Sequence, residues 1–199
     1  MRPRLIETLA WDGRAPAREA RHLGRMGRAA ALLGYPFDGR EAARLLRLGR
    51  GGPARLRLTL GEEGDLGVEE GPLPRRAALW RLRVHPQRLD AGDPWLRVKS
   101  TERPLYDAAR AALPPGVDEW LFLNGRGEAC EGTITTLFFD RGEGWRTPPL
   151  ACGLLPGVLR EEMLEQGAAR EEALGADDLP LVRLAVGNAL RGLIPAALA

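Results

Sequence analysis

Apolar and polar residues alternate most strictly in ARLRLTL, residues 54–60, where Ala54, Leu56, Leu58 and Leu60 fall on one side and Arg55, Arg57 and Thr59 on the other. A period of two is that of a strand with one buried face. AALWRLRV at 77–84 repeats the pattern with Ala78, Trp80, Leu82 and Val84 inward, and RLIETLAW at 4–11 predicts a short strand ended by the Asp12–Gly13 turn. Over 16–33 the spacing changes to three and four, with Leu23, Met26, Ala30 and Leu33 recurring, which predicts a helix. A second helix is predicted at 39–48, carrying Leu45, Leu46 and Leu48, and the glycine-rich acidic stretch 61–74 reads as a surface loop. The first domain, 1–88, is thus expected to be a small α+β layer.

LDAGDP at 89–94 has the composition of a linker and opens a second, strand-rich domain at 89–199. After it WLRVK reads as extended, with Leu96 and Val98 on one face and Trp95, Arg97 and Lys99 on the other. A helix is predicted at 104–113, opened by Pro104 in its first turn. EWLFL (119–123) and EGTITTLFFD (131–140) read as strands joined by a turn in NGRGE. A glycine-proline loop at 153–157 feeds a helix that stops at Gly167. LVRLAVG then reads as a strand, and NALRGLIP as a turn or short helix.

Composition narrows the function classes. A chain of 199 residues that is 44% hydrophobic and 28% charged is long enough for one or two domains with a real core. A net charge of +2 gives no argument for a nucleic-acid partner, and no apolar run reaches the length of a membrane span. Two cysteines, Cys130 and Cys152, without an export signal read as reduced cytoplasmic thiols, and His22 and His85 lack any metal-ligand spacing. The basic residues carry the most information: of 29, Lys99 alone is lysine. Arginine replaces lysine well in ion pairs and phosphate contacts but cannot lose its proton and act as an amine nucleophile. Lys99 is therefore either a Schiff-base amine or the chance survivor of an arginine-biased composition on a solvated strand end.

Three further features bear on that choice. The stretch Leu155-Pro156-Gly157-Val158-Leu159 runs from a glycine loop into a helix, and backbone N–H groups at such a start favour an anion. It lacks the ending of a nucleotide P-loop. Glu131 is either a solvated turn carboxylate or one aimed at a buried cation. His22 and Arg25, three apart, are either a polar helix face or contain a second phosphate ligand in Arg25.

The ordered series LIETLAWDG, HLGRM, VKSTERPLYD, LFLNGRGEACEGTITTLFF, TPPLACGLLPGVLRE and VGNALRGLIPA resembles the class IV aminotransferases over essentially the whole chain. Within that family it looks most like the aminodeoxychorismate lyases, especially the lyase halves of fused para-aminobenzoate synthase–lyase proteins. The resemblance implies pyridoxal-phosphate fold type IV, of two α/β domains like the branched-chain and D-amino-acid aminotransferases. It implies pyridoxal 5'-phosphate as cofactor, a small amino substrate and a homodimer. Lys99 matches the lysine that binds the cofactor as a Schiff base, and Glu131 the carboxylate at its pyridine nitrogen. Arg25, with Val158 and Leu159, matches the phosphate ligands, and Leu155 an apolar residue against the ring. Asn188 and Ala189 match a late turn on the phosphate side.

Thr8 falls where the lyases place residues close to the substrate, as a proton donor or positioner. Arg97, on the face of Lys99 in the strand reading, is the expected ligand of a substrate carboxylate. Thr136 stands where the family usually has asparagine, and Leu159 where threonine is common. The start almost directly at LIETL fits the fused lyase halves better than free-standing transaminases. The implied reaction converts 4-amino-4-deoxychorismate to 4-aminobenzoate and pyruvate. A transaminase on the same scaffold and a non-catalytic binding relative are the rival readings.

Overall fold

The structure is a computed structural model, and it describes residues 2–49, 51–75 and 77–199. The chain divides into one unit of Met1–Arg75 with Val98–Glu102 and another of Arg76–Arg97 with Arg103–Ala199. The expected division at 88/89 is not where the contacts divide: strand 80–84 goes with the second unit, and the five residues around Lys99 go with the first.

In the first unit, β1 (Leu5–Trp11), β2 (Ala54–Leu60) and β3 (Leu66–Gly71) form an antiparallel sheet in the order β1-β2-β3. The alternation read in 54–60 is that of the structure, with Ala54, Leu56, Leu58 and Leu60 all buried. Part of the stretch expected to be a loop at 61–74 is instead β3, paired with β2 from Leu66 to Gly71. Backbone pairing satisfies a strand whose side chains are mostly polar and half-exposed, so periodicity did not reveal it. Helix α1 (Glu19–Leu33) starts three residues later than expected and ends on Gly34, whose φ of 72° is the left-handed cap glycine adopts readily. Helix α2 (Gly39–Arg47) is capped by the Asp38 carboxylate, which accepts from the N–H groups of Arg40 and Glu41. Met26, Ala30, Ala42 and Leu46 are buried on these helices.

Residues 98–101 lie along the outer edge of β1. Ser100 bridges Leu5 in antiparallel sense, Ile6 N–H donates to the Lys99 carbonyl (2.9 Å), and Thr101 N–H donates to the Arg4 carbonyl (2.9 Å).

The second unit holds an eight-stranded sheet. Its strands are β4 (Trp80–Val84), β5 (Glu119–Leu123), β6 (Ala129–Gly132), β7 (Thr136–Asp140), β8 (Trp145–Thr147), β9 (Ala169–Glu171), β10 (Arg183–Asn188) and β11 (Gly192–Leu198). Their order is β10-β11-β4-β5-β6-β7-β8-β9, and an additional pairing of β10 with β7 closes β10, β11, β4, β5, β6 and β7 into a ring. The core of the ring includes Leu82, Leu121, Leu123, Leu137, Phe139 and Val186. Helices α3 (Pro104–Ala111) and α4 (Val158–Glu165) complete the unit.

Three expectations change here. The single strand expected at 131–140 is two, β6 and β7, because residues 133–135 turn sharply and Gly132 N–H donates to the Thr135 carbonyl (2.8 Å). Glu119, fully buried on β5, holds that turn: it accepts from Thr133 N–H (3.1 Å), Thr133 Oγ1 (2.5 Å), Ile134 N–H (3.2 Å) and Thr135 Oγ1 (3.1 Å). The NALRGLIP turn opens into β11 rather than a helix. Finally, Pro94–Arg97 is a 3₁₀ turn, not a strand, so a period of two does not run from Trp95 to Lys99. Arg97 is exposed and donates to the Leu150 carbonyl (3.1 Å), which leaves the shared face with Lys99 without a basis.

Candidate active site

Strand register assembles the centre of the second unit. Thr136 on β7 stands opposite Glu131 on β6 and opposite Gly187 on β10, so the three residues form a row across adjacent strands. Strand spacing puts its ends about 10 Å apart. All three are buried.

The start of α4 closes over this row. A Cβ built on Gly157 would come within 2.7 Å of Thr136 Oγ1, and one on Gly187 would come within 2.8 Å of Leu159 Cδ2 and 2.7 Å of the Gly192 carbonyl. Glycine at both places is therefore what lets the loop, the helix start and the sheet meet. Gly157 is the N-cap and supplies no side-chain cap, so the first-turn N–H groups, those of Val158 and Leu159 among them, lie where a helix favours an anion. Arg160, also buried, ties α4 to the preceding loop by donating to the Pro148 carbonyl (2.9 Å) and pairing with Glu171. Leu155 is half-buried just ahead of this start.

Asn188 follows Gly187 at the end of β10. Its Oδ1 accepts from the N–H groups of Leu190 (3.1 Å) and Arg191 (3.0 Å), and its Nδ2 donates to the Ile134 carbonyl (3.1 Å). The side chain thus fixes the turn carrying Ala189 to the same 133–135 turn that Glu119 organises. Arg191 lies over the Trp80 ring, 5.6 Å from its centroid.

Glu131 is no solvated turn carboxylate. Its Oε1 accepts from the Tyr106 hydroxyl at 2.7 Å. Burial first, then the charge and hydrogen bond of Glu131, push the Tyr106 phenol up, so it stays protonated and donates. Tyr106 was not singled out from the sequence, because a tyrosine in a helix first turn has no distinguishing pattern. The neighbouring Cys130 and Cys152 thiols are both raised, chiefly by burial, Cys152 to about 11, which makes neither a ready nucleophile.

The first unit carries a second set of residues. Glu7 is fully buried on β1; its Oε1 accepts from Arg25 Nε (2.8 Å), and its Oε2 lies 2.6 Å from Arg25 NH2 and 2.5 Å from His22 Nδ1. Burial would raise the Glu7 carboxyl, but the Arg25 guanidinium and the hydrogen bonds from His22 and Arg25 outweigh it and hold it at about 2. His22 and Arg25 are accordingly buried, not a polar helix face. The signal for Glu7 was present in the alternation of RLIETLAW, which puts it inward with Leu5, Leu9 and Trp11.

Side chains alternate along β1, so Thr8 faces away from Glu7. The antiparallel bridge between Leu5 and Ser100 aligns Ile6 with Lys99, and directly opposed residues share a face. Lys99 therefore falls on the sheet face of Ile6 and Thr8, while the buried Ser100, paired with Leu5, falls on the other. Lys99 and Thr8 are each half-buried.

Groups of the second unit suit the pyridoxal phosphate implied by the sequence: a buried carboxylate fit for a protonated ring nitrogen and, two strands away, a glycine-shaped helix start fit for a phosphate.

A family model for amino-transferase class IV matches residues 4–199. The chain belongs to that family. A Schizosaccharomyces pombe protein named "putative aminodeoxychorismate lyase" is 31% identical over 184 residues, covering 86% of this chain and 77% of that protein. A solved structure of a "putative amino-acid aminotransferase" from Mesorhizobium loti is 44% identical, with a TM-score of 0.93 and complete coverage of both chains. The 4-amino-4-deoxychorismate lyase from Pseudomonas aeruginosa shares the fold at a TM-score of 0.81 and 24% identity, over 98% of this chain and 82% of that one. The α+β fold class expected from the sequence is thus that of the class IV aminotransferases. Among the described residues no helix is long and apolar enough to cross a membrane. Among them, too, no group of three or more His, Cys, Asp or Glu could hold a metal ion.

Proposed function

We propose that the chain is a pyridoxal-phosphate-dependent lyase that converts 4-amino-4-deoxychorismate to 4-aminobenzoate and pyruvate. The observation that carries this reading is the shared sheet face of Lys99 and Thr8, an amine on the segment that runs along β1 and a hydroxyl on β1 itself. The named S. pombe relative supports the same choice. Lys99 would hold the cofactor, Glu131 would keep the proton on its ring nitrogen, and Leu155 would pack against the ring. Arg25, the N–H groups of Val158 and Leu159, and the Asn188–Ala189 turn would take the phosphate.

When bound, the cofactor supplies an electron sink for the carbon that carries the substrate nitrogen. The Lys99 amine takes the proton from that carbon. The electron pair left behind expels the neighbouring oxygen with its carboxyvinyl group as enolpyruvate, the ring becomes aromatic, and the proton gained by Lys99 is given back as enolpyruvate becomes pyruvate. The Thr8 hydroxyl hydrogen-bonds the departing oxygen. Atoms balance without an oxidant or an amino-group acceptor, which distinguishes this reaction from transamination.

Transamination is the second reading, and the 44% identity to the Mesorhizobium loti protein favours it. The experiment is to load the protein with pyridoxal phosphate and supply aminodeoxychorismate without any keto acid, following pyruvate and 4-aminobenzoate. Amino acids with 2-oxoglutarate form the parallel arm. Equal release of the two products supports the lyase; turnover confined to the keto-acid arm overturns it. A protein that stays colourless after cofactor addition sinks both readings. We take the working form to be a cytoplasmic homodimer, and a one-chain mass by light scattering would remove the dimer.

A further inference from the structure

The first turn of α3 bears on Glu131 through a chain of contacts that the family reading does not use. Tyr106 reaches Glu131 Oε1 with its hydroxyl at 2.7 Å. Its ring is held from two sides: the Phe122 ring meets it edge-on at 5.2 Å, and the Arg103 guanidinium lies 5.4 Å from its centroid. Arg103 is itself fixed, donating to Asp107 Oδ1 (2.8 Å) and to the Thr133 carbonyl (2.7 Å). The phenol can neither swing nor ionise easily, so it is a fixed donor. A hydrogen bond to a carboxylate favours its ionised form, and a carboxylate can accept from several donors at once.

We propose that Tyr106 is a positioning residue that keeps Glu131 ionised and oriented, so that the proton shared between Glu131 and the cofactor's ring nitrogen stays on the nitrogen; this rests on the assignment of Glu131 to that nitrogen. Without the hydroxyl, Glu131 becomes the stronger base and draws the proton toward itself. The electron sink weakens with no atom of Tyr106 touching the substrate.

Tyr106→Phe tests this, because it removes one oxygen and keeps the ring against Phe122 and under Arg103. The protein is loaded with pyridoxal phosphate labelled with ¹⁵N in the ring, whose nitrogen resonance separates the protonated from the unprotonated form. The wild type is expected to read protonated, and Tyr106→Phe is expected to move toward the unprotonated position. Its kcat should fall about tenfold, the effect of losing one hydrogen bond to a charged acceptor, with KM within about twofold. In a Glu131→Gln background, adding Tyr106→Phe should change neither reading, since the residue acts through that carboxylate. An unchanged resonance in Tyr106→Phe overturns the inference and leaves the cofactor reading standing. A wild type that binds no cofactor, or reads unprotonated, overturns both. Should Tyr106→Phe melt well below the wild type, Arg103→Gln is the second variant. It keeps the hydroxyl but loosens its platform, and is expected to move the resonance in the same direction by less; no movement again overturns the inference.

Discussion

Glu131 and Gly187 are separated by a single strand position, Thr136, which pairs with both. The carboxylate and the glycine under the helix start are therefore fixed to each other by backbone register, not by flexible side chains. Gly187→Ala should break the arrangement from the glycine end, because its Cβ would fall 2.7 Å from the Gly192 carbonyl and 2.8 Å from Leu159 Cδ2. Overpacking of this kind costs about 1–3 kcal/mol. We expect a lower melting temperature and weaker pyridoxal-phosphate binding, read by quenching of tryptophan fluorescence. Wild-type affinity in the variant would show that α4 does not form the anion site.

Thr8 is half-buried, so removing its hydroxyl should spare the fold. Thr8→Val is expected to lower kcat for pyruvate release about 100-fold, at the lower end of what a positioned proton donor contributes. The visible absorbance of the cofactor-loaded protein should persist, and Thr8→Ser should recover most of the rate. Full turnover by Thr8→Val would remove Thr8 from the reaction.

Glu7 makes the first unit acid-sensitive. Its carboxyl is held down to about 2 in the folded chain, against the ordinary 4.5 of a glutamate, so the unfolded chain binds the proton more readily. Its stabilising contribution is complete above about pH 4.5 and is lost as pH falls toward 2. The shift corresponds to about 3 kcal/mol. Urea unfolding followed between pH 6 and 3 should show this slope in the wild type and lose most of it in Glu7→Gln. The variant should also be less stable at neutral pH, because the buried Arg25 loses the carboxylate it pairs with in Glu7. Identical slopes would place the acid sensitivity elsewhere.

Arg97 ends the 3₁₀ turn Pro94–Arg97 and is exposed, with its guanidinium on the Leu150 carbonyl. Arg97→Ala is expected to leave KM for a carboxylate-bearing substrate within about twofold, since no desolvated charge is removed. A tenfold rise in KM would restore it as a substrate ligand.

Much of this architecture was legible where one rule acts alone. Residues 54–60 alternate and form a strand of the same bounds, and EWLFL needs only its apolar run to be read as β5. Errors came where a longer-range partner decides. Residues 66–71 are a strand because β2 pairs with them, and EGTITTLFFD is bent because the buried Glu119, far earlier in sequence, binds the turn at 133–135. Among the candidate residues, the single lysine and the helix start at 157–159 stood out by composition and by local chemistry. Tyr106 did not, and for Glu7 the alternation showed only an inward position, because their meaning lies in which side chain they touch. His22 and Arg25 were visible as a pair, yet only the inward carboxylate of Glu7 makes them a buried one.

The segment 98–101 closes the outer edge of β1 as well as carrying the amine. An open strand edge is a template on which other chains can add. Were this segment to peel away, the protein would lose its one lysine from the sheet and expose an adhesive border in the same event. Substitutions near Lys99 that loosen those few backbone hydrogen bonds would therefore be expected to bring aggregation and displacement of the lysine together.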